Sequence, residues 1–375
     1  MDYTFPYCPH PGCRFHQEIL PEPYTRFKPH GSYLTAAFGS VRRFRCLECG
    51  HTFSTQTFSV DYYAKRVLDY GDLVGRLASC SSLRALGRAL GSSSDTVSNR
   101  VSRASRQALA ASSRLERFRH PDEDLAADGF ESFCVSQFFP NTIQLAVGAS
   151  SQFVYAADHA TIRRKGRMTE GQKLRREELE RRFRAAPDAI ERSFARIAQA
   201  SVRILGEGSR ASLELRTDEH RAYPRGIARS PCAAALLEEG RLTHRRVSSR
   251  LPRTRANPLF PVNYLDRELR KDLHEHVRES VCFGRNVNRQ MERLALYLFH
   301  HNFRKEHRTR WRGVSHALMA GYEAAPVEAE LAGLWRLRSM LSLTALEHCD
   351  ADTWLRLRRT PLRPERDYLP KYAAA

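Results

Sequence analysis

Four cysteines near the N-terminus constrain this chain more than any other feature. Cys8 and Cys13 are separated by four residues, Cys46 and Cys49 by two, and a 32-residue excursion lies between the pairs. Each pair can present two thiolates from one tight turn, so the two turns together close a tetrahedron around a structural Zn2+. A site with four protein ligands leaves no open position for chemistry and acts as a scaffold. Gly50, directly after the second pair, suits a turn that needs positive φ. His10, His16 and His51 lie close enough to replace a thiolate, but four cysteines suffice; the competing reading is a set of free buried thiols. Residues 1–58, rich in Pro, Cys, His, Gly and aromatics, are therefore read as a zinc ribbon. Cys80, Cys134, Cys232, Cys282 and Cys349 have no partner at ligand spacing, and buried thiols are expected for them.

A chain of 375 residues has room for two or three domains and a sizeable core. Lysine and arginine number 61 against 42 acids, a formal charge of +19, which favours a polyanionic partner. Nucleic acid comes first and an anionic membrane surface second. No run of 18 apolar residues occurs, and the start MDYTFPYCPHPGCRF lacks the basic and apolar regions of a signal peptide, so a soluble cytoplasmic protein, associated with the nucleoid, is expected.

Residues 61–118 change to helical periodicity. In LRALGRALGSSSDTVSNRVSR, Leu83, Leu86 and Leu90 precede a Gly91-Ser turn, and Val97 and Val101 share one face of a new helix with Ser94 as N-cap. This spacing matches a helix-turn-helix, in which Ser98, Asn99, Arg100 and Arg103 face a DNA major groove. An ordinary helical hairpin with a solvated polar face is the bland alternative.

After a linker at 120–125, three extended stretches run through LAADGFESFCV, NTIQLAVGAS and QFVYAAD. Residues 161–205 read as one or two long basic amphipathic helices, then come strand 212–217, a helix near 222–236, strand 243–249, and helices 263–279 and 288–305. Strands alternating with helices make 124–310 an α/β body with a mixed sheet. Arg163, Arg164 and Lys165, in an acid-free run after a core strand, are candidates for DNA phosphates, as are HRRVSSRLPRTR and RTRWRG, although charge runs are more often solvated faces.

Asp128 in LAADGFESF and Asp218 in LELRTDEH each end an apolar strand. Singly, such acids are turn formers or helix caps. Held together, two carboxylates 4 Å apart repel by about 4 kcal/mol at an effective dielectric of 20, so a divalent cation belongs between them. The order strand-Asp, two strands, helices, strand-Asp, helix, strand and acid-bearing helix resembles the ribonuclease-H-like core of Asp-Asp-Glu insertion-sequence transposases. NPLFPVNYLDRELRKDLHEHVRESVCFGRN and MERLALYLFHHNFRK resemble the C-terminal helices of that core, in bacterial elements whose chains also begin with a zinc ribbon and a helix-turn-helix.

The resemblance covers about residues 1–310 and implies that Asp128 and Asp218 are metal-binding carboxylates. It places Asn263 where a glutamate is usual. Asp266, three residues later on the same helical face, is taken as the third ligand, assisted by Asn263; Glu292 is its competitor, and Glu268 points elsewhere. An exposed i,i+4 pair with Arg270 is the alternative for Asp266. The family implies Mg2+ (or Mn2+) at this site, double-stranded DNA as substrate and target, cleavage and strand transfer at terminal inverted repeats, and a homodimer or higher oligomer. A regulatory or catalytically inactive DNA-binding protein is the competing class. Residues 311–375 are expected to be a helical extension serving oligomerisation, DNA clamping or plain packing.

Overall fold

The computed structural model describes residues 7–17, 25–277, 281–346 and 348–367. The chain is mixed α/β. Its N-terminal part is a three-stranded antiparallel sheet of β1 (Phe27–Thr35), β2 (Gly39–Cys46) and β3 (Thr52–Ser54). Gly39, with φ 66, opens the return strand of the β1–β2 hairpin. Phe27, Phe44 and Phe53 of the sheet join Phe15, Phe58 and the cysteines in a small core of their own.

Three helices follow, α1 (Tyr70–Leu77), α2 (Leu83–Ala89) and α3 (Ser94–Glu116). Ser93, one residue earlier than expected, caps α3 by accepting from the amide of Thr96 at 3.2 Å. The α2–α3 turn is tight. A Cβ on Gly87 would come within 2.6 Å of the Ser92 carbonyl, and Gly91 takes φ 58. Val97, Val101, Ala104, Ala108, Ala111 and Leu115 line the buried face of α3, and the small residues let it lie along α9 (Val287–Phe303). The helical segment therefore shares one continuous core with the body instead of forming a separate packed unit.

The body is a five-stranded sheet in the order β6-β5-β4-β7-β8: β4 (Leu125–Phe133), β5 (Pro140–Gly148) and β6 (Val154–Thr161) are antiparallel neighbours, and β7 (Leu213–Thr217) and β8 (Leu242–Arg246) run parallel to β4. Parallel pairing requires crossovers. α4 (Glu170–Arg182) and α5 (Ala189–Glu207) connect β6 to β7, and α6 (Ala222–Ala228) and α7 (Pro231–Glu238) connect β7 to β8. The region read as one or two long basic amphipathic helices is two, and they differ sharply. α5 buries Phe194, Ile197, Ala198 and Ile204 against the sheet, whereas α4 buries Leu179 alone and is polar all round. α8 (Phe260–Asp272) lies against β4 and β5, starting three residues earlier and ending sooner than periodicity predicts.

The C-terminal region, α10 (His316–Met319), α11 (Ala324–Gly333) and α12 (His348–Leu355), is knitted into the rest. Met340 is buried in the ribbon core, the Arg338 amide donates to the Phe58 carbonyl at 2.7 Å, and the Ser339 amide donates to Gln107 Oε1 at 2.8 Å. Arg356 and Arg358 reach the buried Asp158 on β6 at 2.8 and 3.2 Å. Packing, of the expected roles, is the one these contacts describe. Among the described residues no helix is long and apolar enough to cross a membrane.

Candidate zinc and carboxylate sites

The four N-terminal cysteines come together as their spacing predicts. Cys8 Sγ lies 3.7 Å from Cys49 Sγ, and Cys13 Sγ lies 3.7 Å from Cys46 Sγ. A regular tetrahedron with Zn–S bonds of about 2.3 Å has edges of about 3.8 Å, so the thiolates are spaced to hold zinc. Both turns are closed by backbone bonds, Cys13 N to His10 O and Gly50 N to Cys46 O, each 3.0 Å, with Gly50 at φ 72. His16 is no ligand here: its Nδ1 contacts the Cys8 carbonyl at 2.6 Å and its Nε2 the Ser342 hydroxyl at 2.5 Å. His10 and His51 stack at 3.7 Å and form, with Cys49, a second overlapping group of ligand atoms. The remaining cysteines depart from expectation, since Cys80, Cys232 and Cys282 are exposed and only Cys134 is buried; the side chain of Cys349 lies outside the described residues.

The carboxylate site is built on two neighbouring strands. β4 and β7 pair in parallel with Leu125 beside Leu215 and Ala126 beside Arg216. Adjacent strands lie about 4.8 Å apart, and the same register, continued for two residues, sets Asp128 beside Asp218. Asp128 is not at the end of its strand: β4 runs on to Phe133 against β5 alone. Asp218 does not cap a helix either. Its Oδ1 accepts from the His220 amide at 2.8 Å, a local turn that leads the chain into α6, whose N-cap Arg221 makes no side-chain capping bond.

Asp128 Oδ1 accepts from the Gly129 amide at 2.7 Å and from the Tyr223 hydroxyl at 3.0 Å. Burial first, then the neighbouring Asp218 charge, push its pKa up to about 6, against the opposing pull of those two hydrogen bonds and Arg253. Asp266 arrives from α8. Its Oδ1 is buried and accepts no hydrogen bond, and burial followed by the Asp128 charge push its pKa up to about 7, opposed by Arg270 and Arg253. Asp128 thus feels Asp218, and Asp266 feels Asp128, although the oxygens of the three do not all lie within 4.8 Å as the cysteine sulfurs do. Arg270 lies over the Phe130 ring at 4.5 Å and donates to the Glu131 carbonyl at 3.1 Å, and Asn263 is half-buried one turn before Asp266.

Glu292 is elsewhere. On α9 it faces α3, where it takes Arg106 at 2.7 Å, Arg289 at 3.0 Å and the Ser102 hydroxyl. Glu268 is likewise engaged, by Lys271 at 3.4 Å and by Lys305. Glu292→Gln is expected to cost about 3 kcal/mol in denaturant unfolding by stranding Arg106, the scale for breaking a buried ion pair, while divalent-cation binding stays unchanged.

The groove-facing candidates on α3 fare unevenly. Arg100 is buried, paired with Asp61 at 3.1 Å and bonded to the Arg66 carbonyl at 2.8 Å. Arg103 donates to the Val60 carbonyl at 3.1 Å and to that of Tyr62. Both arginines staple the ribbon-to-helix connection and are turned away from any groove. Ser98 is half-buried, and the exposed Asn99 accepts from Arg289 at 3.2 Å. Arg163 is exposed and paired with Glu180 at 2.7 Å, Arg164 lies over Phe138 at 5.0 Å, and Lys165 is exposed. Sequence reasoning missed Tyr223, whose signal was an aromatic residue five positions past a strand-end acid, and Arg253, hidden in a basic run. No family model, curated protein or solved structure matches the chain.

Proposed function

We propose that this chain is a DNA transposase of the Asp-Asp-Glu type with a ribonuclease-H-like core, in which Asp128, Asp218 and Asp266 hold Mg2+ or Mn2+. The observation that carries the reading is Asp266: a carboxylate oxygen from a distant helix, buried beside the strand-borne Asp128 and left without a hydrogen-bond partner. Such an oxygen is costly unless a cation takes it. The order of elements supports the reading too, since Asp128 lies on β4 and Asp218 directly follows its parallel neighbour β7, with two strands and two helices between them in the chain, as in the family resemblance. Divalent cations in such a site activate an attacking water or 3′-hydroxyl and stabilise the leaving oxygen in displacement at phosphorus. The protein's own part is to fix the carboxylates and to shield them behind α8.

Double-stranded DNA is the proposed partner, as terminal repeat and as target, with a homodimer or larger assembly bridging two ends. Its binding surface moves from α3 to the ribbon hairpin. Between Thr25 and Cys46 the chain carries Arg26, Lys28, Arg42, Arg43 and Arg45, all exposed, and no acid. Lys28 is paired directly across from Arg45. Like charges so placed weaken a sheet, and a two-stranded ribbon fits a major groove. Changing Lys28, Arg42, Arg43 and Arg45 together to glutamine is expected to flatten the plot of log affinity against log salt by roughly 0.9 for each phosphate that is no longer neutralised, measured by fluorescence anisotropy. An unchanged slope would remove the hairpin from the interface.

The deciding experiment is Mg2+-dependent cleavage of duplexes carrying the element ends, with Asp218→Asn as control. Cleavage that the variant abolishes supports the enzyme; DNA binding with no cleavage by either protein favours the regulatory or inactive alternative; equal cleavage by both overturns the site.

A further inference from the structure

We propose that Tyr223 is a positioning residue of the carboxylate site, its hydroxyl fixing Asp128 so that Oδ2 is the oxygen presented to a divalent cation; this rests on reading the site as a cation site. The assignment follows from counting lone pairs. Asp128 Oδ1 accepts from both the Gly129 amide, at 2.7 Å, and the Tyr223 hydroxyl, at 3.0 Å, which fills its acceptor capacity. Asp218 spends one lone pair of Oδ1 on the His220 amide at 2.8 Å. The oxygens left for a cation are Oδ2 of Asp128, Oδ2 and the second lone pair of Oδ1 of Asp218, and the carboxylate of Asp266, whose Oδ1 is buried and unpartnered.

The phenol is held in place from behind. Its ring is buried and stacks on Phe194 of α5 with centroids 4.3 Å apart. One turn on, a Cβ built at Gly226 would meet Phe194 Cβ at 2.8 Å and the Glu191 carbonyl at 3.0 Å, so glycine lets α6 settle against α5 and carry the tyrosine under Asp128. A residue that orients a ligand through its other oxygen acts as ligating carboxylates' outer partners do, whose loss weakens metal binding by about 10–100-fold.

The test is Mn2+ titration of the zinc-loaded full chain, reading free Mn2+ by electron paramagnetic resonance. Tyr223→Phe is expected to weaken Mn2+ binding at least tenfold with zinc content unchanged. A tyrosine that served packing alone would lower the metal-free melting temperature and leave Mn2+ affinity where it was. Parent-like affinity, within twofold, overturns the proposal. Asp266→Asn, run alongside, separates the two failures: if it too binds Mn2+ like the parent, the cation site itself is refuted, whereas if it alone loses binding, only the role of Tyr223 is. Should Tyr223→Phe not fold, Phe194→Leu keeps the phenol and removes its platform. Weakening of threefold or more then supports the proposal, and a smaller change overturns it.

Discussion

Asp266→Asn in the full chain is expected to lower Mg2+-dependent DNA cleavage by about a thousandfold while leaving DNA affinity intact. A thousandfold is about 4 kcal/mol at 1.36 kcal/mol per decade, within the several kcal/mol that a bound cation supplies at a phosphoryl centre. The substitution keeps the volume and removes the charge. The same variant is expected to be more stable than the parent in metal-free buffer above pH 7, because the parent ionises there a carboxylate whose Oδ1 is buried without a hydrogen-bond partner. The sign follows from linkage. Asp128 and Asp266 have pKa values raised to about 6 and about 7 in the folded chain, above those of unfolded aspartate, so between about pH 4 and 7 the folded state binds more protons and loses stability as pH rises. Mg2+ should reverse that loss, since only the ionised carboxylates bind it, and cation affinity should climb from pH 6 to pH 8. Thermal melts of parent and variant at pH 5.5 and pH 8, with and without Mg2+, read all of this. Equal metal-free melting at pH 8, together with equal cleavage, would leave Asp266 an ordinary helix residue.

How far the sequence was legible follows the range of the interactions involved. Cys8, Cys13, Cys46 and Cys49 could be read because ligand spacing is a local property, and the five strands of the body because alternation and turn residues mark them within a few positions. Asp128 and Asp218 could be placed near each other once their strands were neighbours, since parallel register does the rest. What could not be read depends on partners far along the chain. Arg100 has the composition of a groove-reading side chain, yet Asp61, 39 positions earlier, and the Arg66 carbonyl turn it inward. Glu292 looks available until Arg106, Arg289 and Ser102 are seen around it. Helical spacing puts Asp266 on one face with Asn263 and four positions before Arg270; the burial of its oxygen comes from where α8 rests on β4 and β5. The break between α6 and α7 was written locally, in Ser230 followed by Pro231 at the first helical position, but the apolar run across it masks the stop.

Removing zinc is expected to unfold the ribbon while the body stays folded, with DNA affinity falling as the hairpin loses its frame. Zinc release is expected at one ion per chain, detected with a chromogenic chelator, and Cys46→Ser should reproduce the result without chelation. The magnitude comes from the small size of the ribbon core: Phe15, Phe27, Phe44, Phe53, Phe58 and Met340 are nearly all it has beyond the cysteines. Domains so small seldom fold on apolar burial alone, and structural zinc sites contribute apparent binding free energies of about 10–16 kcal/mol in isolated fingers. The body has its own continuous core from Val60 to Leu334 and should keep its helical circular dichroism. The effect should also reach residues 338–342, because Met340 sits in the ribbon core and His16 joins the Cys8 carbonyl to the Ser342 hydroxyl. Hydrogen exchange at that segment should therefore rise together with exchange in β1–β3. A ribbon that retained its protection in Cys46→Ser would mean that the four thiols are packing residues and that the hairpin is held by something other than a metal.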